Sequence, residues 1–387
     1  MHEIFLPFSS RLGFNSPMER LKLQYGPRLD KTDIEEDLQA LLVYGLLTDE
    51  ELGRRTARLE EMFRIYTGCY PYGLWAPGLA VDREMRILTE AYLPLDEILR
   101  VFDRFFSAAL KFPPFLAASI VHDSSDWLDI LQRLQPLVGR PNPATLLGTL
   151  MVDEEYRRRF IFANFMPARY GGGFGRYPGQ ALFLAGWLEA NRSRLAAGVR
   201  CLDAGCGSGE GTYQLAQLLI DNGFAVDSIH VRGATLEPLE LFAAAHAFFP
   251  HDREREDEFR LRIRPLFDCG AAENISFHLE DLGCMDSAEE KGHDIILCNG
   301  LLGGPLLHDP EEMRRTVQRL SGRLRYGGIL LAASRFHGGW KKHVSDEALR
   351  EIFCACGLKI MEVADGVGGV RSKGEGASPV TGPWSLF

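Results

Sequence analysis

Residues 201–211 read Cys-Leu-Asp-Ala-Gly-Cys-Gly-Ser-Gly-Glu-Gly, set where a predicted strand meets a predicted helix. Gly205, Gly207 and Gly209, at alternate positions, allow the backbone to turn sharply beneath a ligand with amide groups facing it. Asp203 places a carboxylate at the strand end, a partner for an ammonium rather than for a pyrophosphate. The dinucleotide pattern G-x-G-x-x-G starts at Gly205 and stops, because its third glycine would fall on Glu210. Upstream, Phe174-Gly175-Arg176-Tyr177-Pro178-Gly179-Gln180 carries Arg176, whose planar fork suits a carboxylate gripped by two hydrogen bonds. His308 follows a Gly303-Gly304 loop and His337 follows the fifth predicted strand, and each is read either as a proton acceptor or as a loop histidine. The eight cysteines form no C-x-x-C pair, and Cys354 and Cys356 point to different faces of one predicted helix, so reduced thiols and no metal site are expected, as in cytoplasm.

These residues need elements to hold them. The chain has 387 residues, 43 Lys and Arg against 53 Asp and Glu, a formal charge of −10 and 46% apolar residues, the composition of a globular protein with room for two or three domains. The acidic balance argues against sequence-blind binding to nucleic acid, which needs clustered Lys and Arg. No run approaches the length of a membrane span, and the opening segment lacks the pattern of a secretory leader.

Residues 1–30 read as an extended arm. Residues 31–165 read as a helical domain, with helices expected over Asp33 to Leu47, from a Thr48-x-x-Glu51 capping box, and over Val81 to Tyr92, Pro94 to Lys111 and Ser124 to Leu137. A glycine-rich loop, 169–179, leads into a helix from Gln180 to Leu195. From Val199 short apolar runs alternate with helical patterns, which predicts βαβ units and a parallel sheet covered on both faces. Strands are expected at 199–203, 228–236, 274–279, 294–298 and 329–333, then at 358–363 and 382–387, with a mixed-charge helical insertion at 252–264.

The run Asp203-x-Gly205-x-Gly207-x-Gly209 resembles the first motif of class I S-adenosylmethionine (SAM) methyltransferases. The resemblance implies a Rossmann-like α/β domain over 166–387, with a seven-stranded, mostly parallel sheet and SAM as cofactor. It implies an acid after the second strand that holds the ribose hydroxyls, the geometry of dinucleotide sites. Aligning Gly233 to Pro238 puts Thr235 at that position and Glu237 two residues later; Glu237 reads equally as a helix N-terminal acid favoured by the dipole. Asp281 is then the acceptor for the adenine amino group, Leu282 offers a backbone amide, and Cys298 with Asn299 lies in the site floor. Joined to the preceding loop, the segment 204–216 looks like the chemotaxis-receptor glutamate methyltransferases. That narrower likeness implies that Arg176 pairs with the SAM carboxylate, that Asp203 and Glu210 lie near its amino group, and that Tyr213 fills an aromatic position.

The departures from that family are concrete: its Asn-x-Thr-x-Phe-Phe-Arg segment is replaced by the 169–177 loop, its Cys-Arg-Asn by Cys298-Asn299-Gly300, and its small helical domain by a longer one. The reading expected from the sequence is a SAM-dependent methyltransferase acting on an unidentified acceptor, a protein side chain or a small molecule, with no catalytic residue assigned. Two rivals stand beside it: a small-molecule methyltransferase whose helical region is a lid, and a non-catalytic SAM-binding module.

Overall fold

The computed structural model describes residues 23–114, 119–135, 137–166, 173–282, 292–304, 307–333 and 342–372. Most of the expected arm, His337 and the expected strand at 382–387 lie outside them. The chain divides into two compact units, one of residues 21–169 and 237–264, the other of 1–20, 170–236 and 265–387. Residues 237–264, which the sequence reading sets inside the C-terminal domain, thus cluster with the helical segment.

The helical unit holds α1 (Lys31–Leu38), α2 (Glu50–Cys69), α3 (Arg83–Tyr92), α4 (Leu95–Ala109), α5 (Ile120–Asp123), α6 (Trp127–Arg133), α7 (Pro143–Val152) and α8 (Glu154–Phe165). Its core follows from spacing on α4, where Ile98, Val101, Phe102, Phe105, Phe106 and Ala109 all turn inward. Phe102 stacks on Phe160 at 5.8 Å between ring centroids, and Phe106 meets Phe165 edge-on at 5.0 Å. Each buried phenylalanine contributes about 1.5–3 kcal/mol by leaving water. Phe162 extends the same core to Phe242 and Phe248, at 6.2 and 5.3 Å, which is why residues 237–264 belong to this unit.

The helices expected over Ser124 to Leu137 and Gln180 to Leu195 run over Trp127–Arg133 and Pro178–Ala190, and two other boundaries differ for local reasons. The first helix ends at Leu38 instead of Leu47, because Val43 donates to the Ala109 carbonyl, Lys111 donates to that of Leu41, and Leu42 bridges Leu110. The chain exchanges helical bonds for antiparallel ones there. The next helix is capped by Asp49, whose carboxylate accepts from the Leu52 amide at 2.7 Å, one residue beyond the expected Thr48.

The second unit holds α9 (Pro178–Ala190), β2 (Val199–Ala204), α10 (Glu210–Asp221), β3 (Ile229–Thr235), β4 (Ile275–Leu279), β5 (His293–Leu297), α13 (Pro310–Arg323), β6 (Leu324–Ala333), α14 (Asp346–Ala355), β7 (Leu358–Val363) and β8 (Gly366–Arg371); α11 (Pro238–His246) and α12 (Arg253–Asp268) lie between β3 and β4 in the chain. The sheet is mixed and has eight strands rather than the expected seven, in the order β1-β4-β3-β2-β5-β6-β8-β7, where β1 is the two-residue strand Gln24–Tyr25. The final strand is β8, at 366–371. β2 runs parallel to β3 on one side and to β5 on the other, while β8 is antiparallel to both β6 and β7. Every residue of β5 is buried, as expected of a parallel strand covered on both faces. Sheet order reverses at the β2 and β5 pair, and in open α/β sheets a reversal leaves a crevice beyond the carboxyl ends of the strands.

Candidate functional site

Gly205, Gly207 and Gly209 follow β2 with φ of 83°, 54° and 91°, all in the left-handed region that a side chain disfavours. The turn is therefore built from glycine by necessity, and Gly209 is the N-cap of α10. Three of the turn's amides are used within the fold. Gly205 and Cys206 both donate to the Ala234 carbonyl at 2.8 Å, and Gly209 donates to that of Cys206 at 3.0 Å. The first two amides hold the turn against β3, and the third closes the turn on itself.

Asp203 is 4% exposed, and its Oδ2 accepts from the Thr212 hydroxyl at 2.8 Å. Burial, with the nearby charge of Glu210, pushes its carboxyl up to about 6, against the opposing pull of Thr212. Glu210, also buried, accepts from the Ser208 hydroxyl at 2.8 Å. Two buried acids thus flank one turn, an arrangement that a cationic ligand would relieve. Tyr213 is fully buried against Phe277, with ring centroids 5.4 Å apart, so its aromatic position serves the core.

Among the described residues, the loop bearing Arg176 is tied beside that arginine. The Gly175 amide donates to the Gln214 side chain on α10 at 2.9 Å. Arg176 lies over the Tyr177 ring at 5.0 Å, and the Tyr177 hydroxyl stands 3.6 Å from where a Cβ on Gly300 would sit. Gln180 and Asn299 exchange amide hydrogen bonds of 3.0 and 2.8 Å, and Asn299 Oδ1 also accepts from the Ala333 amide at 2.8 Å. The Asn299 side chain therefore works within the fold, joining α9 to the ends of β5 and β6. Cys298 is a core residue whose thiol is pushed up to about 12 by burial and the Asp203 charge. The structure brings Arg176, Asp203, Glu210 and Asn299 to the loops that follow β2 and β5 or border them.

At the ends of β3 and β4, Thr235 is buried and its carbonyl accepts from the Glu280 amide at 2.9 Å. Glu237 precedes α11 without making a side-chain capping bond. Although the residue is partly exposed, burial of its carboxyl and the charge of Glu240 push it up to about 8. Glu280 accepts from the partly exposed Arg232 at 2.7 Å and from the buried Arg323 at 2.5 Å, a charge cluster that precedes Asp281 and Leu282 directly in the chain. Leu282 is buried in the cluster that contains Ala204, Ala234 and Cys298, while Asp281 is partly exposed. Sequence reading missed Glu280, Arg232 and Arg323, since partners far apart in the chain leave no local pattern.

His308 stacks on His343 at 4.6 Å between ring centroids and bonds the Gly304 carbonyl through Nδ1 at 3.2 Å. In the helical unit, Ser119 Oγ and Asp103 Oδ1 meet the two ring nitrogens of His122 at 2.6 and 2.7 Å. The order Ser-His-Asp evokes nucleophilic catalysis. Here, however, Ser119 is fully buried and caps α5, accepting from the His122 amide at 3.1 Å, so the group is a helix cap.

No family model matches the chain, and no curated protein does. Among solved structures it is similar to the [4+2]-cyclase SpnF, with 23% identity over 46% of this chain and 57% of that one and a TM-score of 0.32. It is similar to the SAM-bound amino pentose methyltransferase CalS10 from Micromonospora echinaspora, with 18% identity over 50% and 90% and a TM-score of 0.33. It is similar also to the magnesium protoporphyrin IX methyltransferase ChlM from Synechocystis, with 18% identity over 57% and 93% and a TM-score of 0.33. The chain spans about half the length of the first structures it matches, between 50% and 57%. Likeness at this level adds nothing to what strand order and turn geometry give. No helix among the described residues is long and apolar enough to cross a membrane.

Proposed function

We propose that the sheet unit is a SAM-dependent methyltransferase domain. The observation that carries this reading is the buried carboxylate of Asp203 at the carboxyl end of β2, beneath a turn of three left-handed glycines, where the sheet order reverses. A buried acid raised to about 6 fits a ligand that brings an ammonium, because the cation returns the carboxylate to its charged form. In this reading Asp203 and Glu210 hold the amino group, and Arg176 grips the carboxylate. Thr235 or Glu237 meets the ribose, and Asp281 with the Leu282 amide meets the adenine. Cys298 contributes as the wall behind Asp203, and Asn299 by holding α9.

When bound, SAM supplies an electrophilic methyl group on a sulfonium. The chain's part is alignment and exclusion of water, which suffice for a good leaving group. A carboxylate acceptor needs no general base at neutral pH, whereas an amine or phenol benefits from one. A protein carboxylate is the acceptor implied by the likeness to the chemotaxis enzymes; the alternatives are a small-molecule oxygen or nitrogen acceptor and a module that holds SAM without catalysis.

Calorimetric titration with S-adenosylhomocysteine tests the reading. Saturable binding is expected, weakened at least about tenfold in Arg176→Ala, the scale of a lost bond to a charged group. Absence of binding at millimolar ligand overturns it.

A further inference from the structure

The tip of the β7–β8 hairpin makes a connection that strand pairing does not require. Asp365 has φ of 69°, an uncommon conformation for a residue with a side chain. From there its Oδ2 accepts from the Gly179 amide at 2.8 Å, 186 residues away in the chain. Gly179 is the second residue of α9, and Tyr177, the N-cap, provides no side-chain capping bond. A first-turn amide that would otherwise lack an intrahelical partner is thus satisfied by a carboxylate from another segment, which also complements the positive end of the helix. The fit is close: a Cβ on Gly179 would stand 2.6 Å from Ala364 Cβ and 2.9 Å from Asp365 Oδ2.

We propose that Asp365 is a positioning residue for Arg176, holding the start of α9 so that the guanidinium stays set for the amino-acid end of the methyl donor. Arg176 lies three residues before Gly179, in a loop already tied on one side through Gly175 and Gln214. The Gln180–Asn299 pair fixes the next residue to β5. Asp365 supplies the third tie and brings the hairpin into the cofactor site. The inference rests on the methyl-donor reading of Arg176.

Two ligands separate positioning from general stability in the full chain: S-adenosylhomocysteine, and 5′-methylthioadenosine, which lacks the amino-acid end. Asp365→Gly keeps the left-handed backbone and removes the acceptor; it is expected to weaken S-adenosylhomocysteine about fivefold, the scale of a lost helix cap, and to leave 5′-methylthioadenosine unchanged. Asp365→Asn keeps an acceptor in a residue that tolerates this conformation, and should stay within about twofold of wild type. Gly179→Ala should copy Asp365→Gly. Equal loss of both ligands in Asp365→Gly, or loss of neither, overturns the proposal. Amide hydrogen exchange of the ligand-free chain gives a second readout. Faster exchange across residues 175–181 in Asp365→Gly, with β2 and β5 unchanged, is expected; unchanged exchange there overturns the tie itself. A wild-type chain that exchanges as expected but binds neither ligand overturns the methyl-donor reading and the role toward Arg176, and leaves the hairpin as an anchor of the loop alone.

Discussion

Thr212 donates its hydroxyl proton to Asp203 Oδ2 across 2.8 Å, and the bond exists because two neighbouring positions carry no side chain. A Cβ on Gly211 would stand 2.8 Å from Asp203 Oδ2, and one on Gly233 would stand 2.8 Å from Thr212 Oγ1 and 2.7 Å from Phe277 Cδ1. The acid is therefore oriented by backbone approach from α10 and β3 as well as by its hydrogen bond.

Replacing Asp203 tests its protonation. An acid held near 6 in the fold and near its ordinary 3.8 in the unfolded chain binds protons more tightly when folded. Its contribution is present below about 3.8 and is lost as pH rises through about 6, so the ionised group opposes folding at neutral pH by up to about 3 kcal/mol. Asp203→Asn should raise the urea midpoint at pH 7.5 while weakening S-adenosylhomocysteine at least about tenfold. A lower midpoint with unchanged affinity would count against the assignment.

The same shift predicts a pH profile for binding. A ligand ammonium favours the ionised carboxylate, so affinity should rise from pH 5 to about 7 and then level off. Near pH 6 binding should release a proton, visible as calorimetric heats that vary with the ionisation enthalpy of the buffer. Buffer-independent heats at pH 6 would show that Asp203 does not meet the cation.

Glu237, raised to about 8 by burial and Glu240, gives a second window. Stability from this group is present below about 4.5 and lost as pH rises through about 8. Glu237→Gln should flatten the fall in urea midpoint expected for the wild type between about pH 5 and pH 8. Parallel curves would contradict the shift.

Gly233→Ala should cost about 1–3 kcal/mol, the range for an overpacked core, and should weaken S-adenosylhomocysteine by displacing Thr212. Chemical denaturation and calorimetry on one preparation measure both effects. A variant that folds with wild-type stability would mean that Phe277 moves aside.

Glu280→Leu removes the buried carboxylate that the buried Arg323 guanidinium and the partly exposed Arg232 guanidinium share. A loss of about 3–5 kcal/mol is expected, the usual result of breaking a buried pair at one partner. Denaturation that shows less than about 1 kcal/mol would place the pair among the weak surface kind.

The sequence made the α/β alternation legible because βαβ units carry period and turn signals within a few residues of one another. β7 falls where its apolar run predicts, at 358–363. The glycine turn was equally local. What escaped is long-range: the Gln180–Asn299 exchange spans 119 residues, and the Arg323–Glu280 pair spans 43. Local propensity also lost to tertiary bonding at residues 39–47, where a helical pattern gives way to hydrogen bonds with residues 109–111. The amides of the glycine turn show the same limit, since spacing reveals that the backbone turns there and says nothing about which carbonyl receives each N–H.

Residues 237–264 belong with 21–169, although the strands β2 and β3 are made between them. During synthesis the helical unit cannot complete its core until residue 264 has left the ribosome, by which time two strands of the other unit have emerged. At 5–20 residues per second, about the usual rate, the wait from residue 169 is roughly 5 to 19 seconds. Phe162 must keep its apolar face from other partners for that interval before Phe242 and Phe248 arrive.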